Sequence, residues 1–227
     1  MTKLEWPILD EPDDLLNKEL ERLHCLYHME RDLWGTGCQL IAGIDEAGRG
    51  PLAGPVVAAA VILPGGIWLP GLNDSKKVPP GRRQKLADLI KDQAVAWSLA
   101  VVDVDYIDQY NIRQASLEAM RRAVRSLAVL PEFLLVDGMS IPELMIDQAA
   151  IIHGDSRSAS IAAASILAKV RRDELMDSYD KLYPAYGFSQ HKGYATPQHL
   201  KALAHFGPCP IHRWSFAPVR KAAGEVK

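Results

Sequence analysis

The chain has 227 residues, 48% of them hydrophobic, enough for one well-packed domain with an appendage. A net charge of −2 and a pI near 6.4 argue against holding nucleic acid through overall charge, so any such contact needs local positive patches. Mean hydropathy is −0.07, and the longest apolar run, Val56 to Leu63, falls well short of the roughly 18–20 residues that span a bilayer.

The opening stretch, MTKLEWPILDEPDD, lacks the basic start, apolar core and small-residue cleavage site of a secretory signal. Asp13 to Trp34 is charged, with apolar residues at three-and-four spacing, and Gly35 and Gly37 follow it as helix stops. This predicts a helical extension over 1–37, packed on or beside a main domain over 38–218, with a short tail over 219–227. Cys25, Cys38 and Cys209 are odd in number and far apart, with no CxxC pair, so no disulfide framework is expected and a reducing cytoplasm fits best.

From Gln39 the texture turns to strands. QLIAGIDEAG and GPVVAAAVIL read as two apolar strands joined by a glycine-rich turn, followed by a Pro/Gly loop and a helix over about 81–92. AVAWSLAVVDV is a third strand, and a helix is expected over about 111–130. Two short strands come next, FLLVDG and AAIIH. SASIAAASILAKVRRDELMDSYDKL is the longest helical run, its Ala and Ser suiting close approach to a sheet. A last helix over 197–206 leads into a Pro-rich, irregular tail. The order predicts an α/β fold, a mixed five-stranded sheet with helices on both faces. Three basic clusters, Arg82/Arg83/Lys85, Arg121/Arg122/Arg125 and Lys169/Arg171/Arg172, read as solvated helix faces.

The chemistry begins where strands end in charge. Asp45 and Glu46 close LIAGI, Asp137 closes FLLV, and Asp155 follows AAIIHG. A single Asp before Gly is ordinarily a turn former. Four acids at three strand ends, where open α/β sheets bind ligands, are better explained by convergence on hard cations such as Mg²⁺ or Mn²⁺. Such a site suits phosphodiester hydrolysis. One difficulty is that neighbouring strand residues point to opposite faces, so Asp45 and Glu46 share a site only if the pleat breaks.

The runs GIDEAGRGPLAGPVVAAAVIL, LNDSKK, LLVDG, GDSRSASIAAASILAKVRRD, HKGYATPQHL and PIHRWSF, in that order, strongly resemble the signature of ribonuclease HII. The resemblance implies a ribonuclease H-like fold and Mn²⁺ or Mg²⁺ dependence. It implies cleavage of RNA in RNA–DNA hybrids and 5′ of single ribonucleotides in duplex DNA, leaving 3′-hydroxyl and 5′-phosphate ends. The family's catalytic, metal-holding acids fall on Asp45, Glu46, Asp137 and Asp155. Gly48, Arg49 and Gly50 match its ribonucleotide-reading turn, where two residues without Cβ let backbone approach a 2′-hydroxyl. Tyr194 matches a tyrosine that packs on the next deoxyribose, and Lys76 a lysine at the phosphate near the cut, with Ser75 beside it as a further donor. His153, in place of a usual lysine, and Ala195, in place of a common glycine, depart from the pattern. Ribonuclease HIII and a hybrid-binding protein without catalysis are the alternatives. Gly-Arg-Gly followed by Pro51 speaks against the first, and the four carboxylates against the second. His191, His199, His205 and His212 show no zinc-ligand spacing and read as capping or core residues. The expected partner is hybrid or ribonucleotide-bearing duplex, bound by a monomer.

Overall fold

A computed structural model describes residues 14–224, with side chains from residue 16. The start of the predicted extension and the last three residues of the tail lie outside the described residues. β1 (Ile41–Ala47), β2 (Val56–Ile62), β3 (Ala96–Val102), β4 (Phe133–Asp137) and β5 (Asp147–Ile151) form one sheet in the order β3-β2-β1-β4-β5. The hairpin β1–β2 and the pair β2–β3 are antiparallel, whereas β4 and β5 run parallel to β1. This is the expected mixed five-stranded sheet.

Both faces of the sheet are covered. Alternation along β1 and β2 sends Ala42, Ile44, Ala58, Ala60 and Ile62 to one side, where α4 (Val104–Arg125) packs with Ile107, Met120 and Val124. Ala59 and Val61 point to the other side, against α5 (Ala159–Leu182), α3 (Pro80–Gln93) and α1 (Asp14–Leu26). Small residues set the spacing there. A Cβ on Gly43 would lie 2.0 Å from the Ser160 backbone carbon, so β1 and α5 touch main chain to main chain. A larger residue at 43 would push the helix off the strand that carries the acids.

Three boundaries differ from the sequence reading. The N-terminal helix breaks at Tyr27 into α1 and α2 (His28–Gly35). Helix α4 begins seven residues early, because Asp103 caps it by accepting from the Tyr106 N–H. Asn111, at φ 73°, interrupts it and caps the second segment by accepting from Arg113 and Gln114 N–H. The sequence signal at 111 was thus an internal cap. Strand β5 lies two residues earlier than AAIIH suggests. Its position is fixed by Gln148, whose amide donates to the Ile141 carbonyl and accepts from the Ile141 N–H. Two short helices, α6 (Phe188–His191) and α8 (Ala217–Ala222), lie in stretches read as irregular, while α7 (Pro197–Phe206) matches.

The α1–α2 pair is seated on the core through Leu23, Leu26 and Tyr27. From α2, the buried Glu30 carboxylate accepts from the Ser158 and Ser160 hydroxyls and the Ser160 N–H, at 2.6, 2.6 and 2.8 Å. A carboxylate at the N-terminus of a 24-residue helix meets unpaired N–H groups and the positive end of the helix dipole. The three cysteines are free thiols. Among the described residues, no helix is long and apolar enough to cross a membrane.

Candidate active site

Parallel pairing of β1 with β4 runs to Ile44 opposite Val136, which brings Asp45 and Asp137 to neighbouring positions at the end of the sheet. Next along, Asp137 is opposite Ile151 of β5, and the chain then turns through the 3₁₀ segment Gly154–Ser156 to present Asp155. The Gly154 N–H donates to Asp137 Oδ1 at 2.7 Å, joining the two strand ends. Asp45, Glu46 and Asp137 line one cleft of about 260 Å³, with Gly48, Arg49, Gly50, Ser75, Lys76 and Tyr194. Asp155 stands at its margin, its carboxylate 3.6 Å from the Lys76 ammonium.

The pleat does not break. Asp45 and Glu46 stay in register with Ala59 and Ala58. They share the cleft because it wraps around the strand end, Asp45 on the α5 side and Glu46 on the α4 side. Glu46 then takes Arg49 as ion partner at 3.3 Å.

These acids are electrostatically strained. Burial, then the Glu46 and Asp137 charges, pushes Asp45 well above the usual carboxylate range. Glu46 is pushed up to about 7, mainly by burial and against the opposing pull of Arg49. Asp155 is raised by burial and by Asp74 and Asp137. Glu46 Oε2 is buried with no hydrogen-bond partner. An orphaned carboxylate oxygen among like charges fits a divalent cation, which would supply the missing ligand interaction and reverse the repulsion. As they stand, no three His, Cys, Asp or Glu side chains among the described residues enclose a cation.

Gly48 is at φ +103°, and a Cβ there would meet Arg172 Nε at 2.2 Å and the Pro55 carbonyl oxygen at 2.7 Å. Gly48→Ala is therefore expected to cost about 2–4 kcal/mol, strain plus overpacking, seen as a lowered Tm. An unchanged melting curve would contradict this crowding around Gly48. A Cβ on Gly50 would lie 3.6 Å from the Tyr194 ring, so the turn and the tyrosine face each other across the cleft. Leu52 N–H donating to the Gly193 carbonyl at 2.8 Å ties the two loops together.

Ser75 is beneath the surface, 3% exposed, with its hydroxyl 2.8 Å from that of Ser165. Ser165 also hydrogen-bonds Asp45, so it supports the floor of the cleft. Sequence reasoning missed Ser165, and also Asp74, whose carboxylate bears on Asp155 and lies 4.0 Å from Lys76. The run NDSKK had both Asp74 and Lys76 in view, but an Asp in a loop reads as a turn former.

The basic clusters are solvated faces only in part: Arg82, Lys85, Arg122, Arg125 and Arg171 are exposed, but one member of each cluster is buried. Arg83 is buried, donating to the Ser75 and Val78 carbonyls, and Lys169 pairs with Asp173 at 2.5 Å. Arg121 and Arg122 share Glu118. Arg172 is 1% exposed and donates to the Ala53, Pro55 and Lys192 carbonyls. Positive charge gathers instead from separate segments, as Arg22, Arg31, Lys77 and Arg157 line a depression of about 610 Å³ beside Ser156.

The histidines behave as core residues. Cys209 N–H donates to His212 Nδ1, leaving His212 Nε2–H to donate to His199 Nε2 at 3.0 Å and His199 Nδ1–H to the Tyr194 carbonyl at 2.9 Å. Burial and neighbouring histidines lower His212 to about 4, so this chain is neutral at ordinary pH. His191 holds the same loop through the Tyr186 carbonyl and Gly193 N–H, and His205 lies on Phe206 outside the cluster. Ala195 is not at positive φ, so replacing a glycine there brings no backbone strain. His153 is in the left-handed region at φ 56°.

A mixed sheet whose central parallel strands end in carboxylates, with helices on both faces, defines a nuclease of the ribonuclease H-like fold. The ribonuclease H2 of Pyrococcus horikoshii OT3 superposes with a TM-score of 0.72 at 26% identity, over 81% of this chain and 97% of that one. The family model described as Ribonuclease HII matches residues 42–219. Ribonuclease HII of Moorella thermoacetica is 57% identical over 198 residues, 87% of this chain and 96% of that protein. That of Pelotomaculum thermopropionicum is 54% identical over 221 residues, 96% and 83% of the two. The chain belongs to the ribonuclease HII family and is an endoribonuclease, a phosphodiester hydrolase.

Proposed function

We propose that this endonuclease cuts the RNA strand of RNA–DNA hybrids and cuts 5′ of single ribonucleotides embedded in duplex DNA, the first step in their removal. The observation that carries this reading is the meeting, in one cleft, of Asp45, Glu46 and Asp137 with the Gly48–Gly50 turn and Tyr194. When bound, a pair of Mg²⁺ or Mn²⁺ ions supplies Lewis acidity at the scissile phosphate and an activated water. Asp45 and Asp137 would hold the ions at the centre, with Glu46 and Asp155 completing the set and orienting the water. Lys76, 77% exposed in its side chain, reaches from the rim to a phosphate beside the cut. The backbone at Gly48, Arg49 and Gly50 reads the 2′-hydroxyl, which alone distinguishes RNA from DNA at one position. Tyr194, 44% exposed, packs on the following sugar, where a second 2′-hydroxyl would clash. The cations around Arg22 and Arg157 fit a polyanion that the net charge of −2 would otherwise repel.

The test is a DNA duplex with one ribonucleotide, labelled at either end and digested in Mg²⁺ or Mn²⁺. A single cut on the 5′ side of the ribonucleotide, leaving a 3′-hydroxyl and a 5′-phosphate, is expected. A cut on its 3′ side, or an intact duplex, would overturn the reading.

A further inference from the structure

Arg213 is fully buried, and among the described residues it forms no salt bridge. Burying a guanidinium without a carboxylate is costly unless its donors are all met. Here each of its three nitrogens donates to a main-chain carbonyl: Nη2 reaches Gly48 O at 2.6 Å, Nη1 reaches Arg49 O at 2.9 Å and Nε reaches Gly54 O at 3.0 Å. Nη2 also reaches the Gly54 and Pro55 carbonyls at 2.8 and 3.3 Å. The Arg213 N–H donates in turn to the Leu52 carbonyl at 2.9 Å, and Phe216 covers the guanidinium at 5.3 Å. One planar fork therefore grips both ends of the segment from Gly48 to Pro55.

The grip has a directional consequence. In a trans peptide the carbonyl of one residue and the N–H of the next point in opposite directions. Drawing the Gly48 and Arg49 carbonyls inward turns the Arg49 and Gly50 N–H groups outward, toward the cleft. Both residues are exposed, and neither N–H has an acceptor among the described residues. Only a guanidinium offers five donors in a fixed plane, whereas an ammonium offers three around a point.

We propose that Arg213 is a specificity-determining positioning residue: by holding the Gly48 and Arg49 carbonyls it aims two adjacent backbone N–H groups at the ribose 2′-hydroxyl. This rests on the reading of the Gly48–Gly50 turn given above. Arg213 touches no substrate itself, and it acts on the choice of ribose over deoxyribose.

The test measures affinity for a DNA duplex with one ribonucleotide and for its all-DNA counterpart, by fluorescence anisotropy in Ca²⁺. Arg213→Gln should lower the preference for the ribonucleotide duplex by about ten-fold or more, the loss of one or two hydrogen bonds, with all-DNA affinity unchanged. Arg213→Lys should restore part of it. General destabilisation would weaken both duplexes together, and an unchanged preference in a folded variant would overturn the proposal. Gly50→Ala, run in parallel, separates the layers. If it loses the preference while the Arg213 variants keep it, this inference alone fails, and if it keeps the preference, the reading of the turn fails as well. Should neither Arg213 variant fold, the Arg213 Nε–H of the unmodified protein decides. Slow hydrogen exchange, with Arg49 and Gly50 amide shifts only on adding the ribonucleotide duplex, supports the proposal; fast exchange overturns it.

Discussion

Asp137→Asn is expected to leave the protein folded and to reduce divalent-ion-dependent cleavage by about a thousand-fold or more, several kcal/mol of transition-state stabilisation. Asn is isosteric with Asp, and its amide oxygen can still accept the Gly154 N–H that now meets Asp137 Oδ1. What disappears is the charge nearest the centre of the acid group, since Asp137 bears on Asp45, Glu46 and Asp155 alike. Initial rates on a hybrid substrate, with circular dichroism as the control for folding, make the measurement. Retained activity in a folded variant would remove Asp137 from the machinery.

The second large effect is on stability without divalent ions. Glu46 lies at about 7 in the folded protein against about 4.5 in an unfolded chain, and Asp45 is displaced in the same direction. The folded state therefore binds more protons than the unfolded state above pH 6.5, and stability rises as pH falls. Between pH 8.5 and 6.5 the gain should be about 0.8 kcal/mol from Glu46. Below 6.5 the histidines oppose this gain, which continues toward the unfolded carboxylate value near 4.5. His212 is held near 4 by burial and His199 is lowered too, so the unfolded chain takes up those protons first. The metal-free Tm should thus be higher at pH 6.5 than at pH 8.5. Saturating Mg²⁺ or Mn²⁺ should raise it most on the alkaline side, where the carboxylates are charged and binding favours the native state. A flat profile, or ions without effect on Tm, would contradict the cation reading of the cleft.

The sheet was legible because its signals are local. Apolar runs bounded by Gly and Pro fixed all five strands within a few residues, and the family motifs pointed to Asp45, Asp137 and the Gly48 turn. Long-range pairing was not legible. Nothing in PIHRWSF says that Arg213 reaches back to Gly48, or that Ser165 lies under Asp45. The buried member of each basic cluster was hidden for the same reason. Arg83 and Arg172 look like surface charge in sequence, but their stems and forks are spent on carbonyls contributed by distant loops. The early start of α4 was hidden because DVDYIDQY lacks an apolar stripe and its cap is a lone Asp.

The Glu30 contacts make residue 37 a poor place to cut. The same carboxylate holds the first turn of α5, three residues after Asp155 and one turn before Ser165, so the extension and the acid-bearing loop share a joint. A truncated chain would lose the acceptor of two serine hydroxyls and a backbone N–H, at the head of the helix that bears on the cleft. The α1–α2 pair is keyed into the catalytic body, and a minimal version of the enzyme would have to supply a substitute for that key.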